Sequence, residues 1–219
     1  MSSLESLIIE TGPSPEIAVI WLHGLGASGH DFEPVVPELA FAQERAVRFI
    51  FPHAPELPVT INGGMRMPAW YDILAMDIDR KVDELQLRAS SDAVAQLIEQ
   101  QREQGLRPEN IIIGGFSQGG AVAYELALSY PERLGGLFAL STYYATAGSI
   151  QRSTANETLP VFVAHGSYDP IVPEALGQQA VETLKAQGYQ PEYQSYGMEH
   201  SLCLEEVHHL NDFLTRCLN

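Results

Sequence analysis

The sequence predicts one α/β domain with a mostly parallel central sheet flanked by helices. Three observations carry that expectation. Short apolar runs at 17–22, 47–51, 111–113, 137–140 and 159–164 read as strands covered on both faces. Apolar stripes at helical spacing fall between them, so strands and helices alternate along the chain. The run at 111–113 passes through Gly115-Phe116-Ser117-Gln118-Gly119 into an Ala-rich stretch, which is strand, tight turn and helix in succession. A length of 219 residues suits one large domain over 1–219, and no repeat or linker interrupts it.

In chain order, the strand at 17–22 ends in His23-Gly24-Leu25-Gly26-Ala27-Ser28-Gly29, a glycine-rich loop that leaves backbone N–H groups free at the ligand side of such a sheet. His23, at the strand end, reads as a structural residue that pins this loop. A helix is expected over 31–44, from Phe32, Val35, Val36 and Leu39 at i, i+3, i+4 and i+7; Pro34 suits its first turn, and Pro37 delays or bends it. The stretch 52–83 carries prolines at 52, 55, 58 and 68 and has no clear period. Such a stretch inside a compact domain is a functional loop or lid, here with Met65, Met67, Trp70 and Leu74 among its apolar members, or it covers one edge of the core.

Leu87, Val94, Leu97 and Ile98 define a helix over 83–104 that stops at Gly105. The helix after Ser117 ends near Tyr130, before Pro131. The polar stretch 142–158 has no readable pattern. Beyond the strand at 159–164 come the loop His165-Gly166-Ser167-Tyr168-Asp169-Pro170, a helix to about Gln187, a short strand at 191–196 and the loop Gly197-Met198-Glu199-His200. The last helix carries Cys203, Val207, Leu210, Leu214 and Cys217 on one seam, which makes both cysteines small core hydrophobes.

Composition excludes several function classes. A formal net charge of −16 leaves nothing to neutralise phosphates, so no nucleic-acid partner is expected, and an anionic membrane surface is disfavoured. The acidity reads as solubility. No apolar run approaches the ~20 residues of a membrane-spanning helix, so no integral membrane association is expected. The first residues lack the basic and apolar regions of a secretory signal. Cys203 and Cys217 on one helix would stand roughly 20 Å apart, too far for a disulfide, which suits a reducing cytoplasm.

The chemistry follows from Ser117. In a turn this tight, Gly115 and Gly119 sit where a Cβ would collide with neighbouring backbone. The turn lifts the Ser117 hydroxyl out of the sheet and leaves the Gln118 N–H unpaired at a helix N-terminus. A serine hydroxyl needs a base to take its proton, and the base needs an acceptor that fixes its tautomer. Ser117, Asp169 and His200 occur in the order nucleophile, acid, base, each just past a strand's C-terminal end. The rivals fail on position: His165 precedes the acid, His208, His209 and Asp212 lie in the last helix, and Glu174 opens a helix. Pro170 biases Asp169 toward extended backbone.

The set Trp21-Leu22-His23-Gly24-Leu25-Gly26, Phe51-Pro52-His53-Ala54-Pro55, Met67-Pro68-Ala69-Trp70-Tyr71-Asp72, Gly115-Phe116-Ser117-Gln118-Gly119-Gly120, His165-Gly166 with Asp169, and His200 resembles the phospholipase/carboxylesterase family. That family includes bacterial carboxylesterases and acyl-protein thioesterases, and the segment 58–64 is similar to the bacterial carboxylesterase branch. The resemblance covers nearly the whole chain. It implies a single-domain α/β-hydrolase without a separate cap domain, no cofactor or metal, and often a homodimer. It further implies a triad of Ser117, Asp169 and His200, oxyanion donors in the N–H groups of Leu25 and Gln118, and a loop bearing Met65, Met67, Trp70 and Leu74 along the acyl groove. Glu199 departs from the small or apolar residue common before the histidine; it raises the histidine's basicity or binds a substrate cation. The expected activity is a serine carboxylesterase acting on short- to medium-chain esters, thioesters or lysophospholipids. The alternatives are an acyl-protein thioesterase, a non-catalytic binding protein on the same fold, and a serine peptidase.

Overall fold

In a computed structural model of the chain, which describes residues 4–75 and 80–218, eleven strands and five α-helices are present. They are β1 (Ser6–Glu10), β2 (Ile17–Leu22), α1 (Phe41–Glu44), β3 (Val47–Pro52), β4 (Glu56–Val59), β5 (Met65–Pro68), β6 (Ile73–Ala75), β7 (Lys81–Val82), α2 (Glu84–Glu103), β8 (Ile111–Phe116), α3 (Gln118–Ser129), β9 (Gly136–Leu140), β10 (Val161–Gly166), α4 (Glu174–Ala186), β11 (Glu192–Tyr196) and α5 (Leu204–Cys217). Seven strands form the main sheet in the order β1-β3-β2-β8-β9-β10-β11. Only the edge pair β1–β3 is antiparallel; every other pairing is parallel.

Parallel strands must be covered on both faces, and β2 shows how the sequence achieves this. All six of its residues are buried. Ala18, Ile20 and Leu22 face a core shared with α2, α3 and α4. Ile17, Val19 and Trp21 face a second core with Phe32, Phe41 and the α5 residues Val207, Leu210, Phe213 and Leu214. Alternate residues of one uninterrupted apolar run thus serve two layers.

The helices over 83–104 and at the C-terminus form as expected. Asp83 caps α2 by accepting from the Gln86 N–H at 3.0 Å, and its apolar stripe is buried. Gly105, with φ +96°, ends it. Cys203 stands at the N-cap of α5 and Cys217 is its last residue; both are free, half-buried thiols, and burial pushes the Cys217 thiol up to about 12.

Three expectations need correction. The continuous helix over 31–44 is instead a 3₁₀ segment, Gly29–Glu38, followed by the single-turn α1. Pro34 and Pro37 supply no N–H, so an i to i+4 ladder cannot run through them. Strand β1 was not visible in the sequence because it is a short edge strand whose exposure alternates, with Ile8 53% exposed. The stretch 52–83 is not structureless: β4 pairs with β5 and β6 with β7, and Val59, Trp70, Tyr71 and Ile73 are buried. Residues 76–79 of that stretch lie outside the described residues. The stretch 142–158 is irregular apart from one 3₁₀ turn, Thr154–Asn156. It is tied down by the buried Asn156, which donates to the carbonyls of Tyr130 and Glu132 at 2.8 and 2.9 Å and accepts from the Leu134 N–H at 2.9 Å.

Glu206, in the first turn of α5, is fully buried and makes no ion pair among the described residues. Burial raises its carboxyl to about 8, against the partial pull of the Cys203 N–H. The folded state therefore holds a proton that the unfolded chain releases, so this group costs stability as pH rises from the ordinary carboxyl range through 8. Glu206→Gln should leave stability near wild type at pH 4 and raise it by about 2–4 kcal/mol at pH 8, read by urea unfolding across pH. A wild-type to variant difference independent of pH would overturn this reading.

Candidate active site

At the end of β8 the chain turns into α3 through Ser117, whose backbone lies at φ 54°, ψ −122°. A side-chain-bearing residue reaches this region only when its surroundings over-determine it, and the surroundings here do. A Cβ on Gly115 would lie 2.4 Å from the Gly119 carbonyl carbon, and one on Gly119 would lie 2.5 Å from the carbonyl oxygens of Leu22 and His23. Strand β8, helix α3 and strand β2 therefore approach at backbone distance. The Ser117 N–H donates to the Leu140 carbonyl at 2.9 Å, and its own carbonyl accepts from the Thr142 hydroxyl at 2.6 Å.

The three polar groups expected from the sequence meet at this turn. His200 Nε2 stands 2.9 Å from Ser117 Oγ, and His200 Nδ1–H donates to Asp169 Oδ2 at 2.6 Å. The other carboxylate oxygen of Asp169 accepts from the N–H groups of Ile171 and Val172, each at 2.8 Å. Burial on its own would raise the Asp169 carboxyl; the His200 hydrogen bond and the two backbone N–H groups outweigh it and hold the carboxyl below its ordinary range. The Phe116 ring packs on the His200 imidazole, 4.7 Å between centroids. Asp169 is sealed from solvent while the His200 side chain keeps 17% exposure, so the relay opens outward only at imidazole and hydroxyl. Such a chain can move a proton from Oγ to imidazole and leave the resulting cation beside a carboxylate.

Gln118 directly follows Ser117, and the loop bearing Leu25 lies beside the turn. A Cβ on Gly24 would lie 3.3 Å from the Ser117 Cβ, so the 24–26 loop abuts the turn. Gln118 is the first residue of α3, where helical N–H groups have no partner within the helix. The 24–26 loop is fixed from below. His23 is fully buried; its Nδ1–H donates to the Gly24 carbonyl at 2.7 Å and its Nε2 accepts from the Ala54 N–H at 3.0 Å. Burial lowers its pKa and keeps it neutral in this role. The structural reading of His23 holds.

The four loop residues do not share one place. Met65 and Leu74 are 64% and 47% exposed. Met67 Sδ lies 3.8 Å from the position a Gly26 Cβ would take, so it borders the 24–26 loop. Trp70 is buried, and its polar atoms are used inward. Its backbone N–H donates to Gln118 Oε1 and its indole N–H to the His23 carbonyl, both at 2.8 Å. Gln118 Nε2 in turn donates to the Tyr71 carbonyl at 2.6 Å. Trp70 thus braces the turn from the rear. Glu199 is exposed and forms no ion pair among the described residues.

Sequence reasoning missed the Gln118 side chain, Thr142 and His165. His165 is fully buried, donates from Nε2 to the Val172 carbonyl at 2.8 Å and sits 3.6 Å from Asp169 Oδ2, so it holds the acid loop in place. The signal was present: His23-Gly24 and His165-Gly166 repeat one pattern, histidine then glycine at the end of a buried strand.

The sequence profile of the family described as Phospholipase/Carboxylesterase matches residues 5–218. Acyl-protein thioesterase 1 of Neurospora crassa is 40% identical over 211 residues, covering 91% of this chain and 86% of that protein. Acyl-protein thioesterase 1 of Saccharomyces cerevisiae is 37% identical, covering 92% of each. Among solved structures, SOBER1 of Arabidopsis thaliana superposes with a TM-score of 0.86 at 31% identity, over 93% of this chain and 99% of that one. Zea mays acyl-protein thioesterase 2 gives 0.86 at 26% identity, over 98% and 99%. Among the described residues no helix is long and apolar enough to cross a membrane.

Because the Asp169 carboxyl is held below its ordinary range, its contribution to stability is present above the unfolded carboxyl pKa and is lost as pH falls through the folded one. Asp169→Asn should be less stable than wild type by about 1–3 kcal/mol at pH 7, and the difference should shrink below about pH 4. Denaturant titrations at several pH values check this; a gap that widens on acidification would contradict it.

Proposed function

The chain belongs to the phospholipase/carboxylesterase family of α/β-hydrolases and is a serine hydrolase of the ester and thioester class; from that premise we propose that it is a thioesterase of the acyl-protein kind, working through an acyl-enzyme on Ser117. The observation that carries the chemistry is the unbroken chain of contacts from Ser117 Oγ through His200 to Asp169, at 2.9 and 2.6 Å. The choice of thioester over simple carboxylic ester is supported by relatives named acyl-protein thioesterase 1, of which the Neurospora crassa and Saccharomyces cerevisiae proteins are 37% identical or more over at least 91% of the chain. The Bacillus cereus carboxylesterase, at 21% identity, speaks for the fold alone.

In this proposal His200 takes the Ser117 proton as Oγ attacks the acyl carbonyl, and the N–H groups of Leu25 and Gln118 hold the oxyanion. Asp169 fixes the tautomer and stabilises the imidazolium. The thiol departs with the proton from His200. Water then attacks the acyl carbonyl, His200 takes its proton and passes it to Ser117 Oγ as the Oγ–acyl bond breaks, and the acid leaves. A thiol, with a pKa near 8.5, needs less proton transfer on departure than an alcohol, so a thioester asks less of the imidazole as acid. In this reading the acyl chain runs along the 52–83 segment, with Met67 at the inner end beside the 24–26 loop and the exposed Met65 and Leu74 as its rim; Tyr168 and Ile171, 72% and 48% exposed, add apolar surface beside the acid. Apolar, partly flexible side chains suit an unbranched acyl group.

Ser117→Ala should lower turnover by at least about 10³ and abolish labelling by a fluorophosphonate while the protein stays folded. An S-octanoyl peptide should be hydrolysed with a higher kcat/KM than the matching O-octanoyl ester; a tenfold preference for the oxygen ester would return the carboxylesterase reading. Met65→Ser with Leu74→Ser should lower kcat/KM for octanoyl substrates more than for acetyl ones, and an unchanged chain-length profile would remove the rim from the acyl site.

A further inference from the structure

Next to the acid loop lies a cavity of about 200 Å³ with Arg80, Tyr143, Tyr144, Leu176, Gln179 and Thr183 in its wall. Its position ties it to the site already described. The Arg80 guanidinium donates to the Ile171 carbonyl, and the Ile171 N–H donates to Asp169 Oδ1 at 2.8 Å. Tyr143 follows Thr142, whose hydroxyl holds the Ser117 carbonyl. A carboxylate bound beside Arg80 would therefore stand one hydrogen-bonded residue, Ile171, away from Asp169.

The charge of the cavity is unusual for this chain. The protein carries 28 acidic against 12 basic side chains, yet among the nine described lining residues none is acidic and one is an arginine. Arg80 has no carboxylate within ion-pair distance among the described residues. Its guanidinium lies over the Tyr143 ring, 4.9 Å from the centroid, and its Nε is buried with no acceptor. A half-buried guanidinium with an unused donor is costly unless something neutralises it, and planar carboxylate is the anion its fork fits best. The apolar part of the wall, from Leu176 and the tyrosine rings, suits a short hydrocarbon stem. At about 30 Å³ for each water-sized unit, the volume admits a stem of a few carbons ending in a carboxylate.

We propose that this cavity receives a carboxylate carried by the substrate and that Arg80 determines that specificity. The inference rests on the esterase or thioesterase reading of Ser117. The carboxylate has two sources, the far end of the acyl chain or the leaving group, and the test separates them. One arm compares p-nitrophenyl hemiglutarate with p-nitrophenyl pentanoate; the other compares the butyrate ester of 3-hydroxybenzoate with phenyl butyrate. In one arm, Arg80→Gln should lower the ratio of kcat/KM for the anionic over the neutral ester at least tenfold, and Arg80→Lys should retain part of it. Anionic and neutral esters falling together would mean that Arg80 only ties down Ile171, and unchanged ratios in both arms would likewise overturn the proposal. Calorimetric binding of free glutarate to wild type and to Arg80→Gln decides the matter apart from turnover: binding at millimolar concentration that the variant loses supports the site, and equal or absent binding in both rejects it. If no neutral ester is turned over, the functional reading fails while the binding comparison still stands.

Discussion

The structure depends on how closely three backbone segments approach at Ser117. The carbonyl oxygens of Leu22 and His23 and the Gly119 backbone occupy space that a single methyl group would need. This contact fixes where α3 leaves the sheet, and so where its first N–H groups point. It also holds Ser117 at φ 54°, a conformation sustained by the surrounding packing rather than by local preference. Strand β2 brings the 24–26 loop to the same place, because its own end is one wall of the contact.

Around that fixed point the site is built twice by the same device. His23 and His165 each stand at the end of a buried strand, each precede a glycine, and each spend a ring N–H on a nearby backbone carbonyl. Burial keeps both below the ordinary histidine pKa and so neutral. A charged imidazole at either position would compete with His200 for the Asp169 carboxylate or disturb the field at the hydroxyl. His200 alone is partly open to solvent and bonded to a carboxylate. The three histidines are chemically identical in the sequence; their surroundings separate two braces from one base.

The segment 52–83 joins support and surface in one loop. Its inner side, Trp70 and Tyr71, is locked to Gln118 and His23 by three hydrogen bonds. Its outer side presents Met65 and Leu74 to solvent. A change in the exposed part can therefore leave the hydrogen bonds to Gln118 and His23 in place.

The sequence by itself determined the alternation of strands and helices, the glycines of the elbow, and the three residues, Ser117, Asp169 and His200, that meet at it. Each of these is a local pattern: an apolar run, a stripe of period 3.6, a motif at fixed spacing, or a chain order. It also carried, unread, the repeated histidine–glycine pair. What it left open were properties that arise between distant segments. Two prolines turned the stretch after Ser28 from α to 3₁₀; edge strand β1 exists through pairing with β3; and Trp70, an apolar ring on a proline-rich loop, proved to be a buried brace. Composition cannot tell an aromatic ring that lines a groove from one that supports its floor. Only tertiary structure decides which polar partners lie within 3 Å of its N–H groups, and those partners fix the direction it faces.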